Sequence, residues 1–442
     1  MSEPINIDLL IFPRWVVPVR PRGAVLEKHA VAVQNGSIVD VLPTSEAVSK
    51  YGAERTVNLP EHVLMPGLIN LHTHAAMSLM RGLADDLPLM RWLQEYIWPA
   101  EAAHVLADFV RDGSLLACAE MLRGGVTCFS DMYFYPAATA EAVIQSGIRA
   151  HLGLVVLDFP TNYAADVDDY LNKGLAFRDT LSGQTRITTC LAPHAPYTVS
   201  NRSFEKVRMY AEQLNLNIHT HLHETRDEIA QSETEYGLRP LQRLANLGLL
   251  GPNFIAAHGV HLNQAEMELL AERGCHIAHC PASNLKLASG IAPTAQLLAQ
   301  GINVGLGTDG AASNNTLDMF AEMRLAALLA KGASGDAETL PAWVTLEMAT
   351  INGAKALGLE SEIGSLEIGK RADMVAVNLS SIETAPCYDP ISHLVYAANR
   401  SQVSHVWVDG VAVLDERQLT QIDQRDILEK AKLWQSKLQQ RT

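Results

Sequence analysis

The feature that most constrains this chain is an alternation sustained between Pro66 and Leu359. Short β-like runs take turns there with longer stretches of helical pattern. The runs cover 67–72, 127–132, 149–156, 187–192, 217–221, 254–258, 276–280 and 303–307. Helical patterns lie between them at 107–123, 137–146, 201–214, 239–247, 264–272 and 295–299. Eight strands alternating with helices predict an α/β fold, a (β/α)8 TIM-like barrel. The rival is a doubly wound open sheet. Its nucleotide-binding form needs a Gly-x-Gly-x-x-Gly turn after the first strand, and none is present.

The two ends read differently. Short β-rich pieces at 9–11, 30–33 and 37–41 precede the barrel, with Asn35-Gly36 as a hairpin turn between two of them. They predict a small antiparallel sheet, too short to stand alone. After Leu359, strand-like pieces return at 374–377, 403–408 and 411–414, with Asp409-Gly410 as a second hairpin turn. A polar segment with a helical stripe, 425–440, ends the chain. The economical arrangement is one β-sandwich built from both termini. The expected boundaries are 1–64 and 361–442 for its two parts, with 65–360 as the barrel.

Bulk composition narrows the function classes. The 442 residues suffice for a barrel plus a smaller unit, and 48% hydrophobic content suits a packed core. No apolar run has the length of a membrane span, and the start of the chain lacks signal-peptide order. Six cysteines (Cys118, Cys128, Cys190, Cys275, Cys280, Cys387) are scattered without paired spacing, as expected of reduced thiols in a cytoplasmic protein. A net charge of −15 without a basic cluster speaks against nucleic-acid binding.

Histidines mark the chemistry by where they fall. His72 and His74 close the first strand run two residues apart, so they can share a face and offer one metal ion two imidazoles. His194 follows the fourth run, and His258 ends the sixth. His219, His221 and His223 are spaced to share one face at the fifth, with Glu224 next, and periodicity does not choose among the three. Asp309 follows the eighth. In a barrel these positions gather at the catalytic mouth. Three histidines and an aspartate suit Zn²⁺, with Fe²⁺ and Mn²⁺ as alternatives, and such an ion lowers the pKa of a bound water to about 7. Glu224 would then give and take protons nearby.

These residues resemble the amidohydrolase superfamily, in its branch of purine and pyrimidine deaminases. The markers are Pro66-Gly67-Leu68-Ile69-Asn70-Leu71-His72-Thr73-His74, His221-Leu222-His223-Glu224-Thr225, Ala257-His258-Gly259, Gly307-Thr308-Asp309 and Gly369-Lys370-Arg371-Ala372-Asp373. The resemblance spans essentially the whole chain. It implies metal ligands at His72, His74, His221 and Asp309, an acid–base glutamate at Glu224 and a water-orienting histidine at His258. It also implies a homodimer or larger assembly. Within the branch, the segments 77–101, 193–197 and 280–293 are similar to deaminases of 5′-methylthioadenosine and S-adenosylhomocysteine. That similarity implies nucleoside contacts at Glu101 and His194, Glu101 at the ribose hydroxyls, and places Trp92 by the 5′ substituent.

The implied reaction is hydrolytic removal of the adenine 6-amino group, giving the inosine analogue and ammonia. Relatives that accept S-adenosylhomocysteine hold its carboxylate with arginines from the loop after the third strand. Here residues 157–169 contain no arginine and four aspartates, Asp158, Asp166, Asp168 and Asp169. A carboxylate-bearing tail is expected to meet repulsion there, favouring the neutral methylthio nucleoside. The alternatives are a deaminase of a free base, pterin or s-triazine, and a non-catalytic metal-binding protein.

Overall fold

The structure, a computed structural model, describes residues 4–440. Eight parallel strands form the barrel: β1 (Leu68–Thr73), β2 (Val126–Asp131), β3 (Arg149–Val156), β4 (Ile187–Pro193), β5 (Asn217–Leu222), β6 (Phe254–His258), β7 (His276–His279) and β8 (Asn303–Leu306). Each pairs with the next in chain order. The ends meet through side chains and one backbone bond. Asn70 in β1 accepts the Thr308 N–H at 2.9 Å and donates to Thr308 Oγ1 at 2.7 Å, while the Asp309 N–H donates to His72 O at 2.9 Å. The sequence-based strands match within a residue or two. Parallel strands are covered on both faces, and so β3 is buried at every position.

Gly67, where the chain enters β1, is required by close approach. A Cβ there would lie 2.0 Å from Thr127 Oγ1. Helices follow from their caps. Ser200 accepts the Ser203 N–H to open Asn201–Leu214, and Asn215, at φ 50°, ends it in the left-handed region.

The second unit is a nine-stranded sheet from both ends of the chain. It is mixed, which corrects the expected antiparallel arrangement. Ile5–Val16 runs parallel to Tyr51–Pro66, because the hairpin at 29–43 and the helix Thr44–Lys50 return the chain to the same end. Met374–Asn378 then adds antiparallel to Tyr51–Pro66. Both hairpin turns have two residues in the left-handed region, Asn35-Gly36 and Asp409-Gly410. The turns meet across Ala372, which donates its N–H to Gly36 O at 2.9 Å and accepts the Gly410 N–H at 3.0 Å. The sheet thereby curls over its own core of Leu9, Ile11, Val31, Ile38, Leu64, Met374 and Trp407. Alternate residues Val63, Met65, Val375 and Val377 belong to the core shared with the barrel, as the two-residue period of a strand requires.

An ion network joins the two units. Arg149, at the start of β3, donates to Asp373 (2.9 and 3.2 Å) and to Asp409 (2.7 Å). The late Gly-Lys-Arg-Ala-Asp motif thus delivers a buried carboxylate to the lower face of the barrel. No helix among the described residues is long and apolar enough to cross a membrane.

Buried histidines give the fold an acid limit. Burial holds His151 and His223 down to about 4, and His279 to about 3. A histidine whose native value is depressed stabilises the fold above its unfolded value near 6.5. That stability is lost as pH falls through the native value. Unfolding free energy should therefore decline from pH 6.5 toward 4, by up to about 1.4 kcal/mol per pH unit for each histidine titrating. Urea unfolding across that range checks this. A flat profile would show that these rings are solvated in the native state.

Candidate active site

The residues singled out at strand ends converge at the C-terminal mouth of the barrel. His72, His74, His221 and Asp309 each bring one donor atom within 4.8 Å of the others. His72 lies in β1 and His74 just after it, while His221 is in β5 and Asp309 follows β8. Each ring is oriented from behind. His74 Nδ1–H donates to Met132 O at 2.6 Å and His221 Nδ1–H to His194 O at 2.7 Å. His72 Nδ1 bonds His219 Nε2 at 3.1 Å. All three Nε2 atoms are thereby turned inward as lone-pair donors. Asp309 Oδ2 accepts from Ser283 and Ser313, both at 2.6 Å. Its other oxygen, Oδ1, lies 3.1 Å from His74 Nε2 and 3.3 Å from His72 Nε2. Buried His72 Nε2 and Asp309 Oδ1 have no hydrogen-bond partner. Orphaned donor atoms aimed at one point, on three imidazoles and a carboxylate, fit a divalent cation.

Electrostatics agree with that fit. Burial opposes charge on Asp309, yet His72 and His74 hold it well below the usual carboxylate range. Burial keeps His72 down to about 4 and His221 well below its ordinary value. At His74 burial is outweighed by Asp309, which lifts it to about 9. A charged carboxylate enclosed by imidazoles needs a positive partner, either a proton on His74 or a metal ion.

The three histidines around β5 separate in the structure. His219 is committed to His72, with Nδ1 at 3.3 Å from Ser130 Oγ. His223 does not share their face, which corrects the strand reading. The strand ends at Leu222, and His223 has φ 55°, so its ring turns outward and Nε2 accepts the Leu241 N–H at 3.1 Å. That turn carries Glu224 into the cavity. Glu228 anchors it by accepting the N–H groups of His223 (3.0 Å) and Glu224 (2.8 Å). Burial pushes the Glu224 carboxyl up against the pull of His258, whose Nε2 is 3.8 Å away. His258 Nδ1–H donates to Asn284 Oδ1 at 2.8 Å, which leaves its Nε2 facing the cavity. His223, His258 and Asp309 all have φ between 55° and 73°. Three strained non-glycine residues at one mouth is a pattern of functional sites.

The cavity above them holds about 530 Å³. His194 lines it, kept neutral by burial at about 3, with Nδ1 2.9 Å from Thr198 Oγ1. Glu101 lines it too. Burial raises its carboxyl to about 7, and Tyr133 OH donates to it at 2.7 Å. Trp92 is in the wall, its buried Nε1 without an acceptor. Among the described residues, no lysine or arginine lines the cavity.

The loop after β3 behaves differently from its sequence. It contributes Leu157, Phe159, Pro160, Thr161, Asn162 and Tyr163 to the wall, and none of its four aspartates. Asp158 accepts from Ser200 N and Ser203 Oγ, and Asp166 caps Val167–Thr180. Asp168 pairs with Lys206 and Asp169 with Lys173. Repulsion from these carboxylates is therefore not what a ligand meets; it meets a largely apolar, uncharged wall. Sequence reasoning also missed Tyr133, Asn284, Ser283 and Ser313. Tyr133 was within reach, since it follows β2 at the mouth.

Residues 63–413 match the model of the Amidohydrolase family. A 5-methylthioadenosine/S-adenosylhomocysteine deaminase of Saccharophagus degradans is 48% identical over 99% of this chain and 98% of its own. A 5′-deoxyadenosine deaminase of Methanosarcina acetivorans is 42% identical over 96% of this chain and 97% of its own. The crystal structure of an adenosine deaminase from Xanthomonas campestris with bound zinc superposes with a TM-score of 0.98. It is 49% identical, covering 99% of this chain and all of that one (100%). On its fold and on the extent of these matches, the chain belongs to the amidohydrolase family.

Proposed function

We propose that this enzyme hydrolytically removes the 6-amino group of 5′-substituted adenine nucleosides, with small apolar 5′ groups such as methylthio preferred. The observation that carries the reading is the arrangement in one cavity of Glu224, His258, the His–Asp cluster and, higher up, Glu101. His72, His74, His221 and Asp309 would hold the metal, most suitably Zn²⁺. A divalent ion there supplies a nucleophile from water at neutral pH.

The chain's own groups do the rest. Glu224, its proton affinity raised by burial, delivers a proton to N1 as water adds at C6. His258 Nε2 accepts a hydrogen bond from the incoming water and orients it. Asp309, kept ionised, moves the water proton toward the departing amine, and ammonia leaves as the C6–N bond breaks. Glu101, paired with Tyr133, suits the ribose hydroxyls. A free base would leave that pair unused. The relatives' printed names and the zinc-bound Xanthomonas structure support the same reading. Free cysteines throughout the described chain are compatible with cytoplasmic residence.

The 5′ preference rests on the apolar wall of Leu157, Phe159 and Pro160 and on the lack of a lining lysine or arginine among the described residues. The zwitterionic tail of S-adenosylhomocysteine would lose water there without a charged partner. We expect kcat/KM for 5′-methylthioadenosine to exceed that for S-adenosylhomocysteine by at least ~10-fold. Loss of adenine absorbance on each substrate measures this. Equal values would mean that the tail stays in solvent.

A further inference from the structure

A second groove, of about 540 Å³, lies apart from the catalytic cavity. It is framed by the end of helix Ala107–Arg123, the loop after β8, Arg400 and Ser401, the strand Gln418–Leu419 with the turn before it, and the start of helix Gln424–Gln439. Four arginines line it: Arg81, Arg123, Arg400 and Arg417. That concentration runs against a chain of net charge −15. Glu120 neutralises Arg81 and Arg400, and Asp318 lies 3.7 Å from Arg400. Among the described residues, Arg123 and Arg417 form no ion pair. Arg123 Nη1 donates to Arg417 O at 3.1 Å, and Arg417 Nη1 to Arg400 O (2.9 Å) and Val403 O (2.6 Å). Among the described residues, the other guanidinium N–H groups of these two arginines meet no acceptor.

The backbone adds a second observation. Glu416 and Arg417 form a two-residue hairpin turn with φ 44° and 65°. The chain's other two such turns use Asn-Gly and Asp-Gly. Here an arginine occupies the left-handed position, where the backbone is strained and the side chain lies in the groove. Burial, together with Arg123 and Arg400, pushes the Arg417 guanidinium below its ordinary value, so cation is crowded against cation. Beside the arginines, one part of the wall is aliphatic, from Leu116, Ala119, Leu419, Ile427 and Leu428, and another is polar, from Glu120, Asn315, Thr316, Ser401 and Gln424.

We propose that this groove binds a phosphomonoester, its dianionic head between Arg123 and Arg417 and its organic body against the aliphatic wall. Two unpaired guanidiniums match a dianion in charge, and their planar forks match phosphoryl oxygens in geometry. Inorganic phosphate shares the head chemistry but leaves the apolar wall uncovered.

Isothermal titration of the zinc-loaded full chain at pH 8 and fixed ionic strength tests this, with phenyl phosphate, inorganic phosphate and phenol as probes. We expect one phenyl phosphate per chain, inorganic phosphate at least ~10-fold weaker, and no binding of phenol. R123Q and R417Q should each weaken phenyl phosphate by about 10-fold while leaving nucleoside turnover unchanged. R123Q alone suffices if the strained turn does not tolerate R417Q. Equal affinity for both phosphates would overturn the ester and leave a free-anion site. No heat with phenyl phosphate, or affinity unaffected by either substitution, would overturn the site.

Discussion

Glu224→Gln should lower kcat on 5′-methylthioadenosine by about 100- to 10,000-fold, the range for loss of a positioned acid–base group. Bound metal should be unchanged. The argument is local. Glu224 is buried, and that burial pushes its carboxyl up, which favours the protonated form that gives the proton. An amide in its place has no such proton to give. Glu224 is outside the set of four converging donor atoms, so the substitution leaves those untouched. Its backbone is fixed by Glu228 through two N–H bonds, so the amide occupies the same place. Metal content by elemental analysis beside steady-state rates separates the two effects. Activity within ~10-fold of the parent would remove Glu224 from the proton path. Loss of metal would make it part of the metal site.

Arg149→Ala should destabilise the fold by about 3–5 kcal/mol, the cost of removing one partner from a buried ion pair. The Arg149 and Asp373 side chains are 3% and 1% exposed, so Asp373 would be left charged and without a counter-ion inside the protein. Arg149 also supplies Asp409 and the Thr185 carbonyl with donors. These contacts tie β3 to the C-terminal part of the curled sheet, far from the mouth. The substitution should therefore shift urea unfolding while changing kcat little in the folded fraction. Replacing Asp373 as well should recover part of the loss, since no orphaned charge remains. A single-variant loss below ~1 kcal/mol would show that water reaches Asp373.

How much of this was legible in the sequence differs by kind of information. Barrel strands such as β6 declared themselves because a strand covered on both faces is a near-continuous apolar run, here Phe254-Ile255-Ala256-Ala257. Hairpin turns were legible because Asn-Gly and Asp-Gly permit two left-handed residues. Tyr51–Pro66 was not, because its first half mixes glycine and charged residues and its pairing is set by partners far along the chain. At the site, His72 and His74 were readable from strand period. The separation of His221 from His223 was not, since it depends on where β5 ends and on one positive φ. The four aspartates after β3 show the limit most clearly. Their charge is written in the sequence, but their direction is set by Ser200, Ser203, Lys206 and Lys173. The proposed preference for a neutral 5′ group then rests on a different footing, an apolar wall with no lining cation among the described residues.

The most direct test of hydrolysis at C6 is mass spectrometry of the product formed from 5′-methylthioadenosine in heavy-oxygen water, with ammonia assayed in the same sample. The account predicts one labelled oxygen in the purine ring for each ammonia released. Cleavage elsewhere in the nucleoside, or product without the label, would contradict it.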